Sequence, residues 1–529
     1  MLNLTSLARP AFRRRANASL LWADPDGMER TQRAVLAWLL HHGASTDYGR
    51  RYGMDRIGAY EDFAQAVPVV QYEDIRSDVM RMVAGARDVL WPGVCRRYAQ
   101  SSGTSGGKSK YIPITDTSLK VNHYGGAAAS VAHYLALYPQ SRLFGGKSFI
   151  LGGSFANELR DIPAGVRVGD LSASLIDNIN PLVNLFRVPS KQTALMADWT
   201  VKLPCLIEES LHSDITNISG VPSWFMTVLR GVMERAGTDR IHDVWPNLEV
   251  FFHGGISFAP YRSQYEAFCG PGMRYVENYN ASEGFFAVQD TVEGGSMRLL
   301  PDIGVFYEFE PLDGGASVPA WKVEQGSVYS LVISAPNGLW RYAIGDTVRI
   351  ESVEPLRISI AGRTQCYINA FGEELMVWNA EAALAAACRR TGASVINYTA
   401  APVYADGGHK GRHQWIVEWN RRPECGAEAF ADILDRELQL VNSDYEAKRS
   451  GGIFLDRLEI VEAPSGVFDR WLASTGKLGG QRKVPRLAND RRIADAIIGI
   501  IDERGEERGT LGDGCTSRRP SGTPLSPRP

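Results

Sequence analysis

The sequence predicts an α/β protein with a large N-terminal domain of mixed and parallel sheets and a small α+β C-terminal domain. Strand and helix patterns alternate between 248 and 284, which favours parallel pairing. From 303 to 360 the pattern consists of strands alone, and a shorter series of helices and strands follows 363. These observations predict domains at 1–362 and 363–505, and a disordered tail at 506–529 that is rich in Gly, Pro, Ser and Arg.

Composition is that of an ordinary large globular protein. Its 529 residues are 44% hydrophobic, enough for a large core, and a net charge of −3 provides no basic field for nucleic acid. No apolar run reaches the ~18–20 residues of a membrane span. Seven cysteines without a Cys-x-x-Cys pair predict reduced thiols and a cytoplasmic location. The arginine-rich first 24 residues faintly resemble a transit peptide, but an irregular leading segment has the same composition.

The elements of the first half follow from apolar periodicity and from helix start signals. We expect helices at 28–43, 115–138, 191–212 and 221–236, short helical turns from Tyr60 and Tyr72, and a buried strand at 149–151. Pro222 suits the first turn of its helix because the N–H it lacks has no partner there.

The second half is expected to carry most of the strands. Strands are predicted at 248–252, 273–279, 305–309, 328–333, 347–350, 394–398, 413–419 and 457–461, with helices at 261–268, 379–390, 428–442 and 490–502. Ligands bind at the carboxyl ends of parallel strands. The segments His253-Gly254-Gly255 and 280–284, which follow two such strands, are therefore candidate binding loops.

One loop combines glycines, hydroxyls and lysines more densely than any other: Ser101-Ser102-Gly103-Thr104-Ser105-Gly106-Gly107-Lys108-Ser109-Lys110. Glycines allow successive backbone N–H groups to converge on an anion, and hydroxyls and a lysine complete the shell. A Walker A loop needs a glycine at Ser102 and a helix directly after the loop. Here 111–114 reads as a strand that contains Pro113. We interpret the loop as a polyphosphate-binding segment between extended strands; the alternative is a flexible surface loop.

Three further segments carry side chains suited to nucleotide chemistry. In 279–284 the Tyr279 ring can stack on a base and the Glu283 carboxylate can bind Mg²⁺, although an ordinary polar loop would look the same. Asp346 can accept both hydroxyls of a ribose, or it is a simple turn residue. The glycine-flanked lysines Lys477 and Lys483 can be delivered by domain motion, or they lie on a solvated loop.

The order of these segments resembles that of a bacterial-type member of the GH3 acyl-acid amido synthetase family, within the acyl-adenylate-forming, firefly luciferase-like superfamily. The resemblance covers roughly 28–500. It is carried by 101–107 with Lys110 and Pro113, by 279–283, and by Gly338-Leu339-Trp340-Arg341-Tyr342 with Gly345-Asp346. Segments 218–224, 244–247, 442–449 and 481–486 support it.

The resemblance implies an N-terminal domain with a β-barrel-like part and a C-terminal domain that rotates about 363–365. The implied enzyme is an AMP-forming ligase that makes C–N bonds, with ATP and Mg²⁺ as cofactors. It condenses ATP with a small carboxylic acid to acyl-AMP and pyrophosphate, and the amine of an amino acid then displaces AMP. Positive charge and N–H donors are needed because a carboxylate attacks an anionic phosphate.

Residue roles also come from the resemblance. The resemblance assigns the phosphates to Ser101, Ser102, Gly103, Thr104, Ser105 and Gly106, and the adenine to Tyr279 in a pocket lined by His253, Gly254 and Gly255. Ser282 is a further nucleotide-binding residue, Glu283 holds Mg²⁺, and Asp346 binds the ribose, with help from Arg363. Lys483 reaches the α-phosphate, Lys477 is the alternative catalytic lysine, and Lys110 contacts the nucleotide or closes the loop.

Departures from the family pattern concern details. The superfamily's hinge acid or lysine is Gln365 here, its loop lysine lies one residue before Lys110, and Trp340 replaces a tyrosine. Two other functions stay open: an adenylating ligase with a thiol acceptor such as coenzyme A or a carrier protein, and a non-catalytic nucleotide-binding homologue. We expect the acyl pocket to draw on 119–135, 170–190 and 215–225, including Trp224.

Overall fold

A computed structural model describes most of the chain. The described residues are 3–101, 109–157, 159, 161–256, 258, 261–312, 314–363, 367–405, 410–452, 454–474 and 484–512. The chain divides into two compact units. The larger unit comprises Met1–Ala382, Tyr404–Gly411 and Leu438–Asp456, and the smaller unit comprises Ala383–Val403, Arg412–Glu437 and Arg457–Pro529. A functional domain boundary at 363 stays a prediction.

Helices and strands alternate through most of the chain. The helices are α1 Thr5–Ala18, α2 Pro25–Gly43, α3 Asp47–Arg51, α4 Tyr60–Ala66, α5 Tyr72–Val83, α6 Tyr124–Leu137, α7 Leu171–Asp177, α8 Pro181–Asn184, α9 Lys191–Ala194, α10 Trp199–Leu211, α11 Pro222–Ala236, α12 Arg262–Cys269, α13 Val377–Thr391, α14 Gly426–Val441, α15 Ser443–Arg449, α16 Val467–Ser474 and α17 Arg492–Gly512. The strands are β1 Arg97–Ser101, β2 Lys110–Pro113, β3 Lys147–Ile150, β4 Arg167–Gly169, β5 Arg187–Val188, β6 Ile215–Gly220, β7 Val250–His253, β8 Arg274–Ala281, β9 Gly284–Val288, β10 Met297–Leu299, β11 Phe306–Pro311, β12 Val318–Pro319, β13 Val328–Ala335, β14 Leu339–Val353, β15 Leu356–Arg363, β16 Tyr367–Ile368, β17 Leu375–Met376, β18 Ser394–Val403, β19 Arg412–Arg421 and β20 Glu459–Ala463.

A twelve-stranded mixed sheet forms the centre of the larger unit, in the order β12-β11-β13-β14-β15-β10-β9-β8-β7-β6-β3-β5. The strands from β5 to β8 pair in parallel, and those from β8 to β12 pair antiparallel. This confirms the mixed α/β architecture and the parallel pairing expected between 248 and 284. The change from parallel to antiparallel occurs at β8, which therefore borders both halves of the sheet.

The helix α2 packs on the antiparallel half of this sheet. In α2, Pro25 occupies the first turn and the Asp24 side chain accepts a hydrogen bond from the Gly27 N–H (2.7 Å), which starts the helix. Its buried face, with Leu36 and Leu39, joins a core cluster that includes strand residues such as Tyr307. Burial of this helix face thus follows from apolar spacing along the helix.

Two predicted helices of the larger unit differ from the expectation. The segment 191–212 is two helices, α9 and α10, because Asp198 caps a new start by accepting from the Thr200 N–H (2.9 Å). The segment 115–138 opens with a π-helical turn at Ser118–His123 before α6 begins. The periodicity of apolar residues alone predicts neither the break between α9 and α10 nor the π-helical turn.

The smaller unit contains a three-stranded sheet in the order β18-β19-β20, with α16 and α17 sharing a separate apolar cluster. The helix α17 runs to Gly512, so 506–512 are helical and not part of a disordered tail; 513–529 lie outside the described residues. No described helix has both the length and the apolarity that a membrane span requires.

Candidate active site

The predicted phosphate loop connects two antiparallel strands. Ser101 ends β1 and Lys110 begins β2, and the two are partners across the hairpin. Because a strand follows the loop, the interpretation that it is not a strand-to-helix P-loop is confirmed. The candidates Ser102, Gly103, Thr104, Ser105 and Gly106 lie outside the described residues.

Both ends of this hairpin reach other parts of the larger unit. The Ser101 hydroxyl donates a hydrogen bond to Glu374 Oε2 (3.1 Å), and Lys110 Nζ lies 3.5 Å from the Tyr342 hydroxyl on β14. The same strand β14 carries Asp346 four residues further on. The hairpin therefore lies beside the strand that holds the predicted ribose-binding carboxylate.

The carboxyl end of β7 carries a buried histidine. His253 is 3% exposed, its ring stacks on Phe258 with centroids 4.2 Å apart, and its Nδ1 has no hydrogen-bond partner in the described part of the chain. Burial lowers the pKa of His253 to about 3, so the ring is neutral near pH 7. A side chain at Gly254 would overlap the carbonyl oxygen of Asn278, so the glycine permits close approach of the chain to β8.

Tyr279 and Asp346 meet across the sheet. The Tyr279 hydroxyl donates to Asp346 Oδ2 (2.7 Å), and both residues are 7% exposed. The Tyr279 ring also packs edge-on against Phe286, with centroids 5.0 Å apart. In β15, Arg363 is the backbone partner of Asp346; the structure does not describe its side chain.

The segment 280–284 is a tight hairpin turn and not the open polar loop that the sequence suggested. Strand β8 continues to Ala281 and β9 begins at Gly284, which leaves Ser282 and Glu283 as the turn. The Glu283 carbonyl oxygen accepts a hydrogen bond from Asn337 Nδ2 (3.1 Å), directly before β14. Strand pairing extends to the turn because 279 and 280 pair with 287 and 285 across the hairpin.

Metal ligands are sparse at this turn. Glu283 is 7% exposed, and no group of three or more His, Cys, Asp or Glu side chains suited to a metal occurs among the described residues. Mg²⁺ in nucleotide sites is held by one or two carboxylates and by the phosphates themselves. A single carboxylate is therefore compatible with a metal that arrives with its nucleotide.

One structural residue was not expected from the sequence. Arg341 is 6% exposed and donates to both carboxylate oxygens of Glu308 (2.8–3.1 Å), while its Nη1 donates to the carbonyls of Ala64 and Val67 (2.7 Å each). The sequence placed Arg341 in a functional segment. The structure shows that it joins β14 to β11 and to the segment after α4; an inward-facing Glu308 in an apolar strand is the only sequence signal for this ion pair.

The structure thus brings together most of the described candidates. His253, Gly254 and Gly255 follow β7; Tyr279, Ser282 and Glu283 lie at the end of the neighbouring β8; Asp346 and Lys110 adjoin them through Tyr279 and Tyr342. The candidate lysines Lys477 and Lys483 lie outside the described residues.

This arrangement belongs to a known class of fold, that of the adenylate-forming ligases. The chain is similar in structure to the AtGH3.15 acyl acid amido synthetase in complex with 2,4-DB, with a TM-score of 0.60 and 19% identity over 91% of this chain and 95% of that one. It is also similar to 2-hydroxyisobutyryl-CoA ligase in complex with 2-HIB-AMP and CoA, with a TM-score of 0.56 and 15% identity over 90% and 93% of the two chains.

The family of this chain is identified by matches to the sequence models of three family domains. The chain matches the GH3 family N-terminal domain over 25–219, the GH3 family central domain over 298–363 and the GH3 family C-terminal domain over 378–492. It therefore belongs to the GH3 family, and it is an AMP-forming ligase that uses ATP to make C–N bonds.

Curated relatives cover nearly the whole chain. A probable indole-3-acetic acid-amido synthetase, GH3.4 of Oryza sativa subsp. japonica, is 23% identical over 89% of this chain and 87% of the relative. The indole-3-acetic acid-amido synthetase GH3.4 of Arabidopsis thaliana is 24% identical over 91% and 92%.

Proposed function

We propose that the enzyme adenylates a small aromatic or aliphatic carboxylic acid and transfers the acyl group to the amine of an amino acid. The observation that carries this proposal is the buried hydrogen bond between Asp346 and Tyr279 of β8, the strand that pairs with the His253 end of β7, in a chain of the GH3 family. In the second step the amine nitrogen bonds to the acyl carbon, the bond from that carbon to the phosphate oxygen breaks, AMP leaves with the electron pair, and nitrogen loses a proton.

The described residues fit an adenine nucleotide. Asp346 accepts the ribose hydroxyls, and the orphaned Nδ1 of His253 supplies a buried polar atom for the base at the carboxyl end of β7. Lys110 and the Ser101 end of β1 bring positive charge and a hydroxyl to the phosphates. Bound Mg²⁺ offsets phosphate charge, and Glu283 is the residue we assign to it.

The remaining roles are part of the same proposal. Segment 102–106 binds the phosphates, Arg363 assists at the ribose, and Lys483, with Lys477 as the alternative, completes the site when the C-terminal domain moves. The acyl acid occupies the region of 119–135, 170–190 and 215–225. We place the enzyme in the cytoplasm; Cys95, Cys205, Cys269, Cys388 and Cys425 are free thiols.

The reaction is tested by incubating the enzyme with ATP, Mg²⁺ and a panel of acids that includes indole-3-acetate, benzoate and butyrate. Pyrophosphate release and AMP, followed by amide on addition of amino acids, are the expected products. ADP as product would refute adenylation. Thioester formation on addition of coenzyme A, without amide, would favour the thiol-acceptor alternative, and absence of any turnover would favour a non-catalytic homologue.

The ribose assignment is tested by Asp346→Asn. Loss of a charge-assisted hydrogen bond predicts a rise of about 10- to 100-fold in the KM for ATP, with a smaller effect on the KM for the acid. Tyr279→Phe is the matched control, because it removes the partner of Asp346 but leaves the carboxylate. Unchanged ATP affinity in Asp346→Asn would overturn the assignment.

The choice between the two lysines is tested by comparing Lys483→Ala with Lys477→Ala. We expect Lys483→Ala to lower acyl-AMP formation at least tenfold, because it removes positive charge from the α-phosphate as negative charge develops. Unchanged acyl-AMP formation in Lys483→Ala would transfer the role to Lys477.

A further inference from the structure

A buried lysine in the larger unit lies on an aromatic ring. Lys448, in α15, is 3% exposed, and its Nζ is 3.9 Å from the centre of the Trp224 ring at the start of α11. The face of an indole attracts an ammonium group, but it accepts none of the strong hydrogen bonds that the three N–H groups can donate.

No side chain in the described part of the chain forms a hydrogen bond or an ion pair with this ammonium group. Nearby carboxylates act only over longer distances, and two of them are already bound to backbone amides. Asp170 accepts from the Ser154 N–H (2.6 Å), and Glu373 accepts from the Phe371 N–H (2.6 Å). Burial lowers the pKa of Lys448, and the carboxylates of Asp444, Asp170, Glu373 and Glu374 oppose this shift without cancelling it.

A second unsatisfied donor lies beside the first. The Nε1 of Trp224 is buried and has no hydrogen-bond partner among the described residues. Gly372 has φ +88°, and a Cβ there would lie 3.5 Å from Trp224 Nε1 and 3.9 Å from Lys448 Nζ. Both donors therefore lie within 4 Å of the position that a Cβ of residue 372 would occupy. The backbone approaches the two donors closely there because residue 372 is a glycine.

The surroundings suit an organic anion more than an inorganic ion. Trp199 packs edge-on against Trp224 (5.5 Å) and Phe454 (4.7 Å), so aromatic rings flank the two donors. The neighbouring Lys202 already has a partner, since its Nζ donates to the Gly152 carbonyl (2.6 Å). Lys448 is thus the lysine of this cluster that lacks a described acceptor.

The position of Lys448 and Trp224 relative to the phosphate loop indicates which of the two organic substrates they bind. Glu374, two residues after Gly372, accepts a hydrogen bond from Ser101, where the predicted phosphate loop begins. The acyl acid loses its charge when it is adenylated, whereas the acceptor amino acid keeps its carboxylate throughout the reaction. Its amine must be neutral to attack, so the carboxylate is the charge by which the enzyme can recognise the acceptor.

We propose that Lys448 Nζ and Trp224 Nε1 bind the α-carboxylate of the acceptor amino acid, with Trp224 at the border between this subsite and the acyl pocket to which 215–225 contributes. This inference rests on the proposed function and assigns its second substrate site. A carboxylate has two oxygens and can accept from both donors at once, which gives an acceptor to two groups that have no hydrogen-bond acceptor among the described residues.

The test separates the two half-reactions. Hydroxylamine traps acyl-adenylate as a hydroxamate and has no carboxylate, so it measures adenylation without using the proposed subsite. The acceptor side is measured with the most active amino acid of a twenty-member panel and with its α-carboxamide. Lys448→Met is compared with Lys322→Met, which removes an exposed lysine, and with Trp224→Phe, which keeps a ring but removes the indole N–H.

We expect Lys448→Met to form hydroxamate within about threefold of the wild type, while its kcat/KM for the amino acid falls about 10- to 100-fold. Preference for the amino acid over its carboxamide should fall by the same factor, and Trp224→Phe should show a smaller loss of about 5- to 10-fold. Lys322→Met should behave as the wild type.

Three results would overturn the assignment. An unchanged preference for the free carboxylate in both variants would show that the carboxylate binds elsewhere. Loss of hydroxamate in folded Lys448→Met would place the lysine in adenylation, for instance on a second carboxylate of the acyl acid. A wild-type enzyme that accepts the carboxamide equally well would show that no carboxylate subsite exists. Absence of hydroxamate from the wild type with every acid would refute the proposed function instead.

Discussion

Two of the buried cations of the larger unit, Arg341 and Lys448, have opposite environments. Arg341 donates to a carboxylate and to two backbone carbonyls, all within 3.1 Å. Lys448 lies on an indole ring, and no described residue accepts a hydrogen bond from its ammonium group. Both are nearly inaccessible to water, so burial does not explain the difference.

The difference in hydrogen-bond acceptors around Arg341 and Lys448 shows how a buried charge that stabilises the fold is distinguished from one that binds a ligand. A buried ion pair with all its hydrogen bonds joins parts of the fold, and removing one partner leaves the other uncompensated. A buried cation without an acceptor costs free energy in the unbound protein and regains it when an anion binds. Arg341 therefore belongs to the scaffold, and Lys448 to a substrate site.

The largest expected effect comes from Arg341→Met. It leaves the Glu308 carboxylate buried without its partner, and we expect a loss of about 3–5 kcal/mol in the free energy of unfolding, measured by urea denaturation. Lys448→Met should change that free energy by less than about 1 kcal/mol, since the lysine forms no ion pair with any described residue.

Glu308→Gln combined with Arg341→Met is the control, because it removes the uncompensated charge and should recover part of the stability. Equal destabilisation by Arg341→Met and Lys448→Met would break the distinction between the two cations.

A middle-sized effect is expected at the two tryptophans that accompany these cations. Trp340 Nε1 donates to the Leu90 carbonyl (3.0 Å), so Trp340→Phe should cost about 1–3 kcal/mol through the lost bond and the unsatisfied carbonyl. Trp224→Phe loses no such bond and should cost less than about 1 kcal/mol. Thermal unfolding of both variants measures this contrast, which a larger loss in Trp224→Phe would contradict.

The last effect depends on pH and concerns His253, a buried polar group that is neutral. Its pKa is lowered to about 3 by burial, against about 6.5 in the unfolded chain. The unfolded state therefore binds a proton that the folded state does not, and stability falls as pH decreases from 6.5 towards about 3. The contribution is at most about 1.4 kcal/mol per pH unit.

His253→Asn lacks this group, so the wild type should lose stability more steeply than the variant between pH 6 and 4. Denaturation at several pH values measures how the free energy of unfolding of each protein depends on pH. The other buried histidines are present in both proteins, so their contributions cancel when the two are compared. Parallel pH profiles would show that His253 binds protons equally in the folded and the unfolded protein, which would contradict a lowered pKa.

The segment 338–346 shows how far sequence reasoning extends. Its residues were expected to act together, and Asp346 was assigned to the ribose. In the structure the segment has two parts: Trp340 and Arg341 hold β14 to the scaffold, whereas Tyr342 and Asp346 contact Lys110 and Tyr279. Both parts lie next to each other on one strand, so spacing could not separate them.

The order of elements, the parallel pairing around 248–284, the run of strands after 303 and the loop between β1 and β2 were determined by the sequence itself. They depend on periodicity, turn residues and helix caps, which act over a few positions. The pairing of Arg341 with Glu308 and the position of Lys448 over Trp224 were decided only by the tertiary structure. Those contacts join distant residues, and the need of a buried charge for a partner becomes visible only when its whole surroundings are known.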